Sequence, residues 1–353
     1  NLAEAVEFAH ATRAKPVAER FRITIEQAWS LSSFLERATT SERDRMIALL
    51  QEGQFELTAM FGNMTTELLG AESLMRSLLP SARLAARFKF AVTTAEHNDI
   101  PGLSWGLAEA LSHAGIELFC PSIPGYYGWS HFQMRSFWDD DVMQPGRIPR
   151  AFWWKAPSGT RVLVWYAPSG SVSSSVRPDL GWIEDSILTL EERGYDLPVL
   201  RTPVYGGIGD NSPYLAGYSQ AVQKWNSAWQ APQVELSTNA RFAAALRQVL
   251  PQDLPSYAGE LPGQDYPLGA LSTARATGAN RGAKRSLFVA EQIATAAELV
   301  TTASYPEDKL HRAWTDSLLH DEHTWGYHFP CGEARVAAEA EKALHAYRAD
   351  ALA

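Results

Sequence analysis

Three clusters of polar side chains stand outside the ordinary core patterning of this chain. Residues 90–102, FAVTTAEHNDIPG, run from an apolar segment into Glu96, His97 and Asp99 and stop at Pro-Gly. YGGIGDNSPY sets Asp210 and Asn211 behind an apolar stretch and a double-Gly turn, and HDEHTWGYH gathers His320, His323 and His328 at the end of a helical pattern. Two facing carboxylates are what glycoside hydrolysis needs, one as nucleophile or base and one as acid, about 5 Å apart for retention of configuration. Asp99 and Asp210 are distant in sequence but would converge if both follow strands of one barrel. Imidazole is the commonest metal ligand, and Asp with His is an ordinary zinc pair, although HDEH does not substitute for the HExxH metalloprotease spacing. Each cluster has a plainer reading beside the chemical one. Asp99 can cap the helix after Pro101, Asp210 can serve a Gly-Asp-Asn-Ser-Pro turn, and His323 can sit at a helix end for its dipole.

The elements that must position these groups follow from periodicity. The β-branched and aromatic run 88–94 predicts a buried parallel strand, and SWGLAEALSHAGIELF behind it predicts a helix and a further strand. Glu96, His97 and Asp99 then fall at the carboxyl end of a strand, where the loops of a barrel carry catalytic groups. Helices are expected over residues 2–12, 24–38, 41–51 and 68–88, and strands over 21–24, 54–61, 116–120, 151–154 with 161–166, 199–205 and 233–237. Strands alternating with helices over this length imply a parallel sheet in an α/β fold, a (β/α)7-type barrel. From about Gly278 three Ala-rich amphipathic stretches without strand signals imply a three-helix bundle. The expected domains are a barrel over residues 1–258 and, over 259–353, a helical bundle that contributes to the active site. The Gly-, Pro- and aromatic-rich segment 121–146 and the Ser-rich run 169–175 read as loops or a lid over one end of the barrel.

Composition narrows the function classes. The 353 residues are 46% hydrophobic with 12 Trp and 12 Tyr, enough for a large core and for flat apolar platforms of the kind sugars stack on. A net charge of −9 without a Lys/Arg cluster argues against nucleic-acid or anionic-membrane partners. No apolar run approaches membrane-spanning length. Cys120 and Cys331 are too few for a disulfide framework or a thiolate zinc site, so a reducing, cytoplasmic compartment is expected. The opening NLAEAVEFAHATRA begins directly in a helical pattern, as though an upstream piece were absent.

With the three clusters in this order the chain resembles glycoside hydrolase family 38, the α-mannosidases. RFRITIEQAWSL resembles the family's strand and acidic residue before an aromatic helix, with Glu26 at the acidic position. GQFELTAMFGNMTTELL resembles its "G-x-x-E-x-x-G…N-E" stretch, which brings in Asn63 and Glu67. EHNDIPG is similar to the "D-x-F-G" or "D-x-P-G" nucleophile motif, GGIGDNSPY to the acid/base motif, and DEHTWG to the "H-H-D-x-x-x-G" zinc motif. The resemblance implies Asp99 as nucleophile and zinc ligand, Asp210 as acid/base and His323 as zinc ligand. The family's first zinc motif, H-x-D-x-G-W, has no counterpart, so two of the four expected Zn2+ ligands are absent from this chain.

The reading that follows is a retaining glycosidase acting on α-mannosides or related glycans with zinc assistance, these 353 residues alone being expected to have little or no activity. Sugar contacts are expected from Tyr126, Tyr127, Trp129, Tyr166 and Asn211, with Glu260 of YAGELPG as a further polar contact and reserve acid. One rival is a non-catalytic carbohydrate-binding or scaffold module on a degenerate barrel, because a fold does not fix a function. A zinc polysaccharide deacetylase is a second rival, disfavoured by the lack of an HxxxH pair. The bundle helices offer an apolar face to the barrel or to a partner subunit.

Overall fold

The computed structural model describes residues 1–98, 103–122, 151–165, 180–192, 197–202, 204, 213–261, 273–323 and 332–353. Helix α1 (Leu2–Thr12) turns Ala5, Val6 and Ala9 inward, the spacing of a helical stripe. It is followed by β1 (Ile23–Ile25), α2 (Ala28–Arg37), α3 (Thr40–Gln51) and β2 (Phe55–Leu57). Helix α3 begins on a capping box, in which Thr39 and Glu42 each accept the other's main-chain N–H, a device worth about 1 kcal/mol. Strands β1 and β2 pair in parallel, Ile23 opposite Phe55 through Ile25 opposite Leu57. Val6, Leu31, Leu49 and Phe55 bring these elements into one core.

Residues 68–88 were expected as one helix and form two, α4 (Ala71–Arg76) and α5 (Leu79–Phe88), after a 3-10 turn at Thr66–Leu68. The break precedes Pro80, whose ring is accommodated only in the first turn of a helix. Lys89 then closes α5 in the left-handed conformation at φ 60°. That closure displaces the strand expected at 88–94. Phe90 packs in the core, and the ladder itself is β3 (Thr94–Asn98), so Glu96 and His97 lie within the strand rather than beyond it.

After β3 come α6 (Trp105–His113), β4 (Leu118–Ser122), β5 (Ala151–Lys155), β6 (Arg161–Trp165), α7 (Trp182–Glu192), α8 (Tyr218–Ala228), α9 (Asn239–Val249) and β7 (Ser256–Ala258). The second sheet has the order β3-β4-β6-β5-β7. Its β3-β4, β4-β6 and β5-β7 pairs are parallel, but β5 and β6 are antiparallel, joined by a tight turn in which Gly159 takes φ 91°. The expectation of uniform parallel pairing is corrected at that hairpin. The N–H of Ala59 donates to the carbonyl of Thr94 at 2.9 Å, which sets the chain leaving β2 against the start of β3. Residues 233–237 are not a strand. The Asn226 side chain satisfies both main-chain groups of Val234 at 2.8 Å, doing locally what a ladder would do. The described part of 199–205 is likewise without a ladder.

Phe119 and Trp154 stack at 6.0 Å in the core of the second sheet, and Trp165 meets Phe242 of α9 edge-on at 4.9 Å. Three long helices complete the chain, α10 (Ala274–Val300), α11 (Glu307–Asp321) and α12 (Glu333–Leu352), packed on one another. Leu287, Leu310, Ala313 and Trp314 form their shared core, and Arg76 of α4 lies over the Trp314 ring at 4.9 Å. Among the described residues no helix is long and apolar enough to cross a membrane.

Candidate active site

Alternation along β3 sends Glu96 and His97 to opposite sides of the strand. Glu96, buried at 3% exposure, pairs with the Arg201 guanidinium and accepts from Asn239 Nδ2 at 2.7 Å. Arg201 Nε in turn donates to Asn239 Oδ1 at 2.6 Å. A second buried carboxylate, Glu56 at the centre of β2, accepts from the Thr94 hydroxyl and from the Ala240 N–H at 3.0 Å. Burial pushes the Glu56 carboxyl up, against the pull of those hydrogen bonds. These groups tie β2, β3 and α9 into one polar network.

His97 faces the other way. Its ring is fully buried against Phe119 at 6.2 Å, and its Nε2 accepts the Met64 N–H at 3.0 Å. The neutral ring therefore carries its proton on Nδ1, which has no hydrogen-bond partner among the described residues. The His97 pKa is pushed down to about 3, first by burial and then by neighbouring His323, with Gly62 and Glu322 pulling weakly the other way.

The segment around Met64 is also stitched to the end of α11. The His323 N–H donates to the Asn63 carbonyl at 2.8 Å, the Thr65 N–H donates to the Asp321 carbonyl at 3.0 Å, and Met64 and Glu322 form an antiparallel bridge. His323 is thus placed beside β3 by main-chain bonds, and its Nδ1 lies 2.7 Å from Glu322 Oε1. A carboxylate on one imidazole nitrogen fixes the tautomer and turns the other nitrogen toward a ligand, the arrangement usual behind metal-binding histidines.

From the helical side buried Lys342 and half-buried Lys284 hold the same terminus. Lys342 Nζ donates to the carbonyls of Leu319 and Glu322 at 2.5 and 2.7 Å, and Lys284 lies 2.5 Å from Asp321 Oδ2. Asn280 Nδ2 adds a bond to Asp321 Oδ1 at 2.9 Å. Burial pushes the Asp321 carboxyl up and the Lys342 ammonium down, and each opposite charge limits the shift of the other side.

A second group of acids stands at the edge of this region. Glu67 follows Thr66, whose hydroxyl accepts the Ser104 N–H at 2.9 Å, and Glu260 precedes Leu261, which bridges Leu103 through two main-chain bonds. Glu67 is pushed up to about 7, chiefly by the protein wall beside it, with Glu260 adding a smaller repulsion. A cavity of about 1430 Å³ opens elsewhere, beside β1, with Glu26, Glu96, Arg201 and Asn239 on its wall. His323 and Glu260 do not line it.

Of the site residues expected from sequence, His323 and Glu260 are described, and they stand in different groups. Asp99, Asp210, Asn211, Tyr126, Tyr127, Trp129 and Tyr166 lie outside the described residues. Strand β3 ends at Asn98, immediately before Asp99 in the sequence. Among the described residues no three metal-ligating side chains converge. Sequence reasoning missed Glu56, Arg201, Asn239, Lys284 and Lys342. A glutamate at the centre of an apolar β2 was the one signal available.

Comparison with known proteins bears on this arrangement directly. The chain is similar to an alpha-mannosidase from Enterococcus faecalis V583, with 18% identity over 99% of this chain and a TM-score of 0.71. It is similar also to a glycosyl hydrolase family 38 protein from Enterococcus faecalis, with 15% identity over 99% of this chain and a TM-score of 0.66. This chain spans 39% and 36% of the length of those two proteins. Comparison with curated protein sequences finds no match. The model of the glycosyl hydrolases family 38 N-terminal domain matches residues 4–260, a stretch that holds both sheets together with Glu96, His97 and Asp99, and the chain accordingly belongs to glycosyl hydrolase family 38.

Proposed function

We propose that the protein is a retaining glycosidase that cleaves α-mannosides or related glycans. The observation that carries this reading is the family match over residues 4–260, which includes Asp99 and Asp210. The fold likeness to an alpha-mannosidase over 99% of the chain agrees with it. In the proposed architecture residues 1–258 close as a (β/α)7-type barrel and residues 259–353 form a three-helix bundle that brings His323 to the barrel. The mutual packing of α10, α11 and α12 and the Asn63–His323 bond support that division.

Asp99 attacks the anomeric carbon while Asp210 gives its proton to the leaving oxygen, so that the glycosidic bond breaks as a covalent glycosyl–Asp99 bond forms. Asp210, now ionised, takes a proton from water. The water oxygen then bonds to the same carbon and frees Asp99, and two displacements restore the configuration. Asn211, Glu260 and the rings of Tyr126, Tyr127, Trp129 and Tyr166 hold the sugar.

The residues at the end of α11 suit a zinc ion. A His323 imidazole backed by the Glu322 carboxylate has the chemistry of a zinc donor, and with Asp99 it would supply two of the ligands such an ion needs. Bound zinc supplies Lewis-acid polarisation of the sugar hydroxyls.

Hydrolysis of an aryl α-mannoside by the full-length protein, with and without added zinc and beside its Asp99→Asn variant, tests the proposal. Zinc-dependent turnover lost in Asp99→Asn supports it. A folded, zinc-loaded protein inactive on aryl glycosides would turn the reading toward a carbohydrate-binding module.

A further inference from the structure

His97 bears on His323 without touching the main-chain bonds that hold it. The imidazole accepts the Met64 N–H at 3.0 Å, and Met64 is the central residue of a three-residue segment. On one side of it the Asn63 carbonyl takes the His323 N–H, and on the other the Thr65 N–H bonds to the Asp321 carbonyl. Met64 itself bridges Glu322, the residue whose carboxylate holds His323 Nδ1. Two independent attachments therefore grip residues 63–65, one from β3 and one from the end of α11. The β3 attachment is made by the His97 ring, which accepts the Met64 N–H. That ring is fully buried and braced by Phe119, so it has little freedom to follow if residues 63–65 move.

We infer that His97 is a positioning residue, whose Nε2 locks residues 63–65 and thereby sets where the end of α11 presents His323 to the strand that leads to Asp99. Loss of the Met64 bond removes the hold of His97 on residues 63–65, and the Asn63–His323 and Thr65–Asp321 bonds loosen with it. The geometry also specifies the conservative replacement. A Gln side chain carries its terminal oxygen to the distance of Nε2 and can accept the same N–H, whereas Asn reaches only as far as Nδ1. The consequence for zinc rests on the function proposed above, while the coupling from His97 to His323 does not.

Amide hydrogen exchange on the full chain tests the coupling by comparing wild type, His97→Gln and His97→Asn. The expected result is exchange at Met64 and His323 faster by about tenfold or more in His97→Asn, with near wild-type protection at both in His97→Gln. His97→Asn with Met64 deprotected but His323 as protected as in wild type would overturn the inference. So would equal, chain-wide loss of protection in both variants, because that reports only general packing. Zinc affinity of the full-length protein separates this from the proposed function. Weaker zinc binding in His97→Asn that adds nothing in a His323→Ala background supports the zinc consequence. A wild-type protein that binds no zinc overturns the metal role, and the exchange data then decide the coupling on their own.

Discussion

The main-chain N–H of His323 donates to the carbonyl of Asn63 at 2.8 Å, and this bond joins the helical part of the chain to its strand-bearing part at the place where the candidate site lies. Because it is a main-chain bond, it sets the position of the His323 backbone whatever the side chain does. The Glu322 carboxylate then sets the ring. The site is built in two stages, backbone first and imidazole second, and the two stages are open to separate perturbation.

Gly62 gives access to the second stage. A Cβ there would lie 2.9 Å from Glu322 Cγ, too close for two carbons, and Cγ is not the free end of that side chain. Gly62→Ala must push Glu322 aside and carry the His323 ring with it. The expected outcome is a fall of roughly tenfold to a hundredfold in kcat/KM on an aryl α-mannoside, against about 1–3 kcal/mol of stability. Steady-state kinetics of the full-length protein beside urea unfolding measures both. Unchanged kcat/KM would show that Glu322 does not orient a functional His323.

Lys342 governs the helix end itself. The last carbonyls of a helix lack intrahelical donors, and the Lys342 ammonium supplies two of them while lying 3.7 Å from the Glu322 carboxylate. Lys342→Met keeps the apolar stem and leaves the carbonyls and the carboxylate without their cation. A loss of about 3 kcal/mol is expected. A urea midpoint within error of wild type would show that water replaces the ammonium at no cost.

How far the sequence announces this arrangement depends on how local the cause is. Helix α1 was expected over the residues it occupies, because Ala5, Val6 and Ala9 and the polar residues between them declare one buried stripe. The EHND and HDEH clusters were legible because polar groups interrupt apolar patterns there. The register of β3 was not. The apolar run 88–92 resembles a strand, and only the left-handed turn at Lys89 and the bond from the Glu117 N–H to Thr93 at 2.8 Å start the ladder later. Glu56 and Arg201 escaped notice for a related reason. Their partners, Thr94, Ala240, Glu96 and Asn239, are distant in sequence and meet only in the fold.

The buried histidines set a pH dependence with a definite sign. His320 is fully buried, its Nδ1 lies 3.1 Å from the Lys342 carbonyl, and burial pushes its pKa down to about 4. An unfolded histidine takes its proton near 6.5, so the neutral ring adds stability in full above that pH and loses it as the pH falls toward 4. Glu56 and Asp321, whose carboxyls are pushed up, act in the opposite sense, so the informative quantity is the difference between wild type and His320→Gln. Between pH 6 and pH 4.5 that difference should shrink by about 1.4 kcal/mol per pH unit in urea unfolding. Parallel stability curves would mean that His320 takes up its proton in the folded chain.

The Glu96–Arg201–Asn239 network gives the sharpest stability prediction. Glu96 and Arg201 are both almost fully covered, and Asn239 bonds to each of them. A buried carboxylate deprived of its cation keeps the whole desolvation penalty and loses the attraction that offset it. Arg201→Met should therefore cost about 3–5 kcal/mol. Removing Glu96 as well takes away the stranded charge, so Glu96→Leu/Arg201→Met should be less destabilised than the sum of the single variants by about 1–3 kcal/mol. Additive losses in a double-mutant cycle would show that water reaches Glu96 once Arg201 is gone, and that the network is held by packing rather than by charge.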